Sequence, residues 1–266
     1  MTSFKNEIGK QVLILDGAMG TMVQNLGLTD TAFGGPEFKM LTDLLVFSRP
    51  DDLEGIHLEY LQAGANLIET DTFGASPLRL KEFNFSKFDP SDLKAIPDQL
   101  DMKTCSLESL TLELNIEGCR IAKRAIEKYR AQPDYDGRPL FVAGSIGPSN
   151  YVVSSTEANL NKGTFGQIVE NFYHQVLGLV EGGADVLLIE TQQDILETKA
   201  IIAGANKAFA EKKKKLPMIV QATVDVFSKM QIFNTDIHAA YTAVSKMGID
   251  VFGINCNVGP EEMLAT

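Results

Sequence analysis

The chain has 266 residues, 44% apolar and 22% charged, enough apolar material for the core of one large domain or two small ones. A formal net charge of −11 argues against nucleic acid or an anionic membrane surface as a main partner, because both are polyanions. Three cysteines without framework spacing, no apolar run near the ~20 residues that cross a bilayer and no signal-peptide stretch predict a soluble cytoplasmic protein.

From the N-terminus, short β-branched or Leu-rich runs alternate with longer segments of helical period. VLILDGA from Val12 predicts a first strand that ends in the turn Asp16-Gly17-Ala18-Met19-Gly20-Thr21. SRPDDLEGIHLEYLQAGAN then predicts a helix with Pro50 near its start, Leu53, Ile56, Tyr60 and Leu61 as apolar positions, and Gly64 as its stop. LIETDTF from Leu67 predicts a second strand ending around Glu69, Asp71 and Thr72. Between Asn84 and Ser109, two prolines, scattered Asp and Lys and weak periodicity predict an insertion ahead of the next helix, which contains LNIEGCRIAKRAIEKY.

LFVAGSIG from Leu140 predicts the third strand, ending in Gly144-Ser145-Ile146-Gly147-Pro148. FGQIVENFYHQVLGLVEGGAD predicts a helix closed at Gly182 and Gly183, and VLLIET from Val186 a fourth strand ending in Glu190-Thr191. The basic run Lys212 to Lys215 fits a helix C-terminus, where cations suit the dipole, and MIVQATV from Met218 predicts a fifth strand ending near Thr223 and Asp225. A last helix, TDIHAAYTAVSKMGID, ends at Gly248 before the sixth strand, VFGIN from Val251, which ends in Asn255-Cys256.

Strands alternating with helices predict an α/β fold with a parallel sheet, and both a doubly wound sheet and a (β/α)8 barrel fit the pattern. Polar and glycine residues gather at the C-terminal ends of the strands, where both architectures place their ligands, so an enzyme or small-molecule binder is expected. DGAMGT lacks the spacing of a dinucleotide fingerprint or a P-loop. Its chemistry suits a zwitterion, with the amides of Gly17 and Ala18 for a carboxylate and Asp16 for an ammonium. Glu190 ends an apolar strand and is too costly to bury unpaired, so it is expected to meet a cation or face the mouth of a cavity.

His57, His174 and His238 all fall in predicted helices, away from the strand ends. Cys119 reads as core packing and Cys105 has no assignable role. Cys256 stands out by position: a thiol at a strand end near two carboxylates is a candidate nucleophile or metal ligand, beside the ordinary alternative of a small buried hydrophobe.

LDGAMGTMVQ, LIETDTFGAS, VAGSIGPSN, GGADVLLIETQQD and FGINCNVGPEEM together resemble the homocysteine-binding domain of cobalamin-dependent methionine synthase and, more widely, the homocysteine S-methyltransferase family. The resemblance implies a (β/α)8 TIM barrel binding homocysteine and zinc at its C-terminal face. It implies that a zinc-activated homocysteine thiolate takes a methyl group from methylcobalamin, carried on another domain and re-methylated from methyltetrahydrofolate. Carried over residue by residue, Cys256 matches the first zinc cysteine, Asp16 with the Gly17 and Ala18 amides matches the turn holding the amino-acid end, and Glu190 matches the carboxylate for the substrate ammonium. The other two zinc cysteines of the family form an adjacent pair after a seventh strand. Residues 1–266 are therefore expected to form one homocysteine-binding barrel domain, incomplete at about six of eight βα units, without the cobalamin and folate domains. Two other readings remain open, an inactive homocysteine-binding fragment and a cobalamin-independent relative using betaine or methylmethionine.

Overall fold

The structure, a computed structural model, describes residues 3–94, 96–98, 100–155, 161–230, 232–264 and 266. Helices α1 (Phe4–Glu7), α2 (Met19–Asn25), α3 (Leu45–Ser48) and α4 (Pro50–Ala63) precede strand β1 (Leu67–Glu69). Next come α5 (Pro77–Leu80), α6 (Leu107–Arg130), β2 (Phe141–Ile146), α7 (Phe165–Gly182) and β3 (Val186–Gln192). They are followed by α8 (Ile195–Lys212), β4 (Met218–Ala222), a small hairpin of β5 (Lys229–Met230) and β6 (Thr235–Asp236), then α9 (Ile237–Val244), β7 (Val251–Ile254) and α10 (Pro260–Leu264).

Strands β1, β2, β3, β4 and β7 form one parallel sheet in that order, so each strand lies beside the one before it in the chain. A doubly wound sheet reverses its strand order at a switch point, whereas a (β/α)8 barrel proceeds around in sequence. The order observed is that of the barrel, and it decides the choice that strand and helix alternation leaves open.

Alternation along each strand separates two apolar layers. Ile68, Val142, Leu187, Ile189, Met218 and Val220 pack with Cys119, Phe172, Val176 and Ile201 of the helices that cover the sheet. Leu67, Phe141, Ala143, Val186, Leu188 and Ile219 form the opposite layer, joined by Phe4 of α1, whose ring meets Phe141 edge-on at 5.6 Å. Helices α4 and α7 end as their sequences require, with Gly64 and Gly183 in the left-handed region at φ 113° and 87°. Helices α6 and α7 approach backbone to backbone at Gly178, where an added Cβ would stand 2.7 Å from both Leu112 O and Asn115 Cβ. No helix among the described residues is long and apolar enough to cross a membrane.

Two sequence expectations need correction. The Val12 segment runs parallel to β1 but pairs only through a bridge at Leu15, with the backbone of Ile14 and Asp16 bonded to Asn66 and Leu67. Val12 is 87% and Ile14 54% exposed. With a single bridge to β1, this apolar run forms no regular ladder and is not a strand. The insertion is shorter than expected, because the Ser106 side chain caps α6 by accepting from Ser109 N, so 107–109 belong to the helix. Its remainder is ordered by aromatic packing rather than by periodicity: Phe85 and Phe88 each lie 5.3 Å from the Phe38 ring, and Arg49 pairs with Asp92.

Candidate active site

The C-terminal ends of the parallel strands converge on a group of acidic residues and one thiol. The β3–β4 register shifts between Ile189 and Gln192, and within this irregularity Thr191 takes φ 59°. Positive φ is strained for a β-branched residue, and such strain gathers at functional sites. Glu190, beside it, is only 7% exposed. Its Oε1 accepts from Ser145 Oγ of β2 at 2.6 Å and its Oε2 from Asn255 Nδ2, just past β7, at 3.3 Å. Both donors are neutral, so of the two expected settings for Glu190, a cation partner or the mouth of a cavity, these contacts supply no cation. Burial raises its carboxyl above the usual range, against the pull of the Ser145 bond.

Asp16 sits where the first extended segment turns toward α2. Its Oδ2 accepts from the backbone N–H of Glu69 at 2.8 Å, whereas its Oδ1 is buried with no partner among the described residues. Burial, opposed by that backbone bond and reinforced by the charge of Glu190, pushes the Asp16 carboxyl up to about 7. Glu69 is raised well above its ordinary value by burial, then by Glu190, Asp16 and Cys256. Three carboxyls therefore crowd together, and the groups that shift them include no lysine or arginine. Physically, such a group retains protons until a cationic group arrives to replace them.

Gly17 and Ala18 lie exposed beside Asp16, and Tyr60 packs on this turn, its hydroxyl donating to Ala18 O at 3.3 Å. Cys256 is exposed at the end of β7 at φ 61°, with Thr191 Oγ1 and Asn255 Nδ2 each 3.6 Å from its Sγ. Asp16, Glu190 and Cys256 are thus brought to one end of the sheet. Asp71, named with them from its strand end, is buried beside Asp43 instead; burial and then the Asp43 charge push it up to about 8.

Zinc does not fit the described residues on their own. No group of three or more His, Cys, Asp or Glu among them could hold a metal ion, and a structural or catalytic zinc takes at least three protein ligands. Cys105 is half-buried and Cys119 fully buried, its thiol pushed by burial up to about 12, so Cys119 is the core residue its helix position predicts. The histidines lie in α4, α7 and α9, off the strand ends. His57 is buried, and burial, against the charge of Glu54, holds its imidazole down to about 4.

Sequence reasoning gave no role to Glu69, Ser145, Thr191 or Asn255. Strand-end position was a usable signal for all four, but what each one touches depends on the strand register.

Comparison with known proteins identifies the family and the fold. A family profile described as Homocysteine S-methyltransferase matches residues 13–266. Methionine synthase from Mycobacterium tuberculosis is 32% identical over 262 residues, which is 98% of this chain and 19% of that protein. Methionine synthase from Mycobacterium leprae matches with the same identity and coverage, so the chain spans about a fifth (19%) of the length of these curated relatives. Among solved structures, the homocysteine methyltransferase MmuM from Escherichia coli in its metallated form superposes with a TM-score of 0.70 at 21% identity, covering 98% of this chain and 80% of that one. Its oxidized form gives a TM-score of 0.67 at 21% identity, covering all of this chain and 80% of that one. The structural likeness establishes the barrel-type fold, and the sequence match establishes the lineage: this chain belongs to the homocysteine S-methyltransferase family.

Proposed function

We propose that residues 1–266 form the homocysteine-binding barrel domain of a methionine synthase of the cobalamin-dependent type. The observation that carries this reading is the crowded acid group at the strand ends, with a buried acceptor, Asp16 Oδ1, left open. An α-ammonium group suits it: three N–H donors and one positive charge would engage Asp16 and Glu190 and offset the burial that raises both carboxyls. The exposed amides of Gly17 and Ala18 would take the substrate carboxylate, leaving the thiol end directed toward Cys256.

In this reading homocysteine is the methyl acceptor and methylcobalamin, on a domain outside residues 1–266, is the donor. Cys256 would contribute one thiolate to a zinc ion, and the remaining ligands would have to come from beyond the described residues. The residues on hand bind and orient the amino acid; they do not themselves supply the metal chemistry. A cobalamin-independent relative would use the same amino-acid pocket with another donor.

Calorimetric titration with L-homocysteine tests the reading. The chain should bind homocysteine, Glu190→Gln should weaken that binding, and both proteins should melt cooperatively. A folded chain with no measurable affinity for homocysteine would overturn it.

A further inference from the structure

Asn255 uses one carboxamide to touch three neighbouring residues. Its Oδ1 accepts from the backbone N–H of Thr191 at 2.9 Å. Its Nδ2 faces Thr191 Oγ1 at 3.0 Å, Glu190 Oε2 at 3.3 Å and Cys256 Sγ at 3.6 Å. A primary amide has two N–H donors, so three acceptors share two hydrogens, and the plane of the amide is fixed by all of them together.

The backbone of Asn255 is anchored as well. Its N–H donates to Ala222 O of β4 at 3.2 Å, and its carbonyl accepts from Thr223 Oγ1 at 3.2 Å. This side chain therefore extends from a fixed base across to the irregular end of β3. Thr191 and Cys256, which both touch this amide, adopt φ of 59° and 61°, and Asn257 follows at 64°, so the amide lies against non-glycine residues in the left-handed region. The bond from Thr191 N to Asn255 Oδ1 is what the strained Thr191 gains in exchange.

We infer that Asn255 is a positioning residue that sets the separation between Glu190 and Cys256, and through it selects homocysteine over amino thiols of a different chain length. The inference rests on the proposed homocysteine reading, in which Glu190 takes the ammonium and Cys256 marks the sulfur end. Homocysteine and cysteine present identical amino-acid groups and identical thiols, and differ by one methylene between them. A pocket that tells them apart must hold its two ends at a fixed distance, and Asn255 is in hydrogen-bond reach of both. Losing the carboxamide frees the two ends to move independently, which costs the longer ligand its advantage.

The test is calorimetric titration of the full chain with L-homocysteine and with L-cysteine, for the wild type, Asn255→Ala, Asn255→Asp and the double variant Asn255→Ala with Thr191→Gly. Asn255→Ala should lose about tenfold in homocysteine affinity and much less in cysteine affinity, so the preference collapses. Asn255→Asp matches the shape but has no N–H donor to offer, and it should lose the preference too, which keeps the test alive if the alanine variant does not fold. The double variant should recover part of the homocysteine affinity, because glycine takes a positive φ without help. Parallel losses for both ligands, or no loss, in the folded variants would overturn the positioning role while leaving the homocysteine reading intact. Absence of homocysteine binding by the wild type would overturn both.

Discussion

Glu54 and Glu190 are both shielded from solvent contact, 4% and 7% exposed, but Glu190 lies the deeper of the two, and they have opposite electrostatic fates. Glu54, on α4, receives Arg124 Nε at 3.1 Å and Lys128 Nζ from α6. Burial pushes its carboxyl up, but the hydrogen bonds from Lys128 and Arg124 outweigh that and hold it below its ordinary value. Among the described residues Glu190 has Ser145 and Asn255 as its donors, and its carboxyl is raised. The flank of the barrel has neutralised its buried acid; the mouth has not. A carboxyl left without a counter-charge among two others is costly to stability, and it makes sense where a ligand supplies the missing charge.

Glu190→Gln is the sharpest way to break this comparison. It should reduce homocysteine affinity by about 10- to 100-fold, the value of a charge-assisted hydrogen bond, in a protein that still folds. Equal affinities for variant and wild type in a calorimetric titration would remove Glu190 from the site.

Glu54→Gln should act the other way. It leaves the partners Arg124 and Lys128 without their counter-charge, but these are 41% and 63% exposed, so water offsets much of the loss. Urea unfolding should show a loss of about 1 kcal/mol, with homocysteine affinity unchanged. A loss of affinity would mean that the two acids are not separate in function.

Asp16→Asn gives the clearest sign. The folded carboxyl sits at about 7 against an ordinary 3.8, so between these values the folded state holds a proton that the unfolded chain has released. Wild-type stability should therefore fall as pH rises from about 4 through about 7, and Asp16→Asn should escape the share of that fall due to Asp16 while its side-chain oxygen still accepts from Glu69 N. At pH 8 the variant should be more stable by up to about 4 kcal/mol, the roughly three pKa units between 3.8 and about 7, and at pH 3.5 the two should coincide. A wild type that unfolds at the same urea concentration across this range would contradict the raised carboxyl.

Much of this organisation was legible in the sequence because it is local. The Pro50 start and Gly64 stop fix α4, and near-continuous apolar runs mark β2, β3 and β4 as strands covered on both faces. Asp16, Glu190 and Cys256 were legible as strand-end residues for the same reason. The winding of the sheet was not, since a doubly wound sheet and a barrel share one alternation of elements; only the order of β1 to β7 separates them. Nor could sequence show that Glu69 N donates to Asp16 or that Asn255 bridges Glu190 and Cys256, because those contacts join segments 53 and 65 residues apart. The insertion ends where the Ser106 side chain caps α6, and Phe85 and Phe88 order its middle without a regular repeat that periodicity could show.

The central claim is that the mouth holds protons which the substrate ammonium displaces. Proton release is measured directly by calorimetry of L-homocysteine binding at pH 7 in buffers of different ionisation enthalpy, with a chelator present to exclude thiol ionisation on a metal. The account predicts net release approaching about one proton per homocysteine bound, as Asp16 and its neighbours become carboxylates. Binding with no proton exchange, or with uptake, would contradict it.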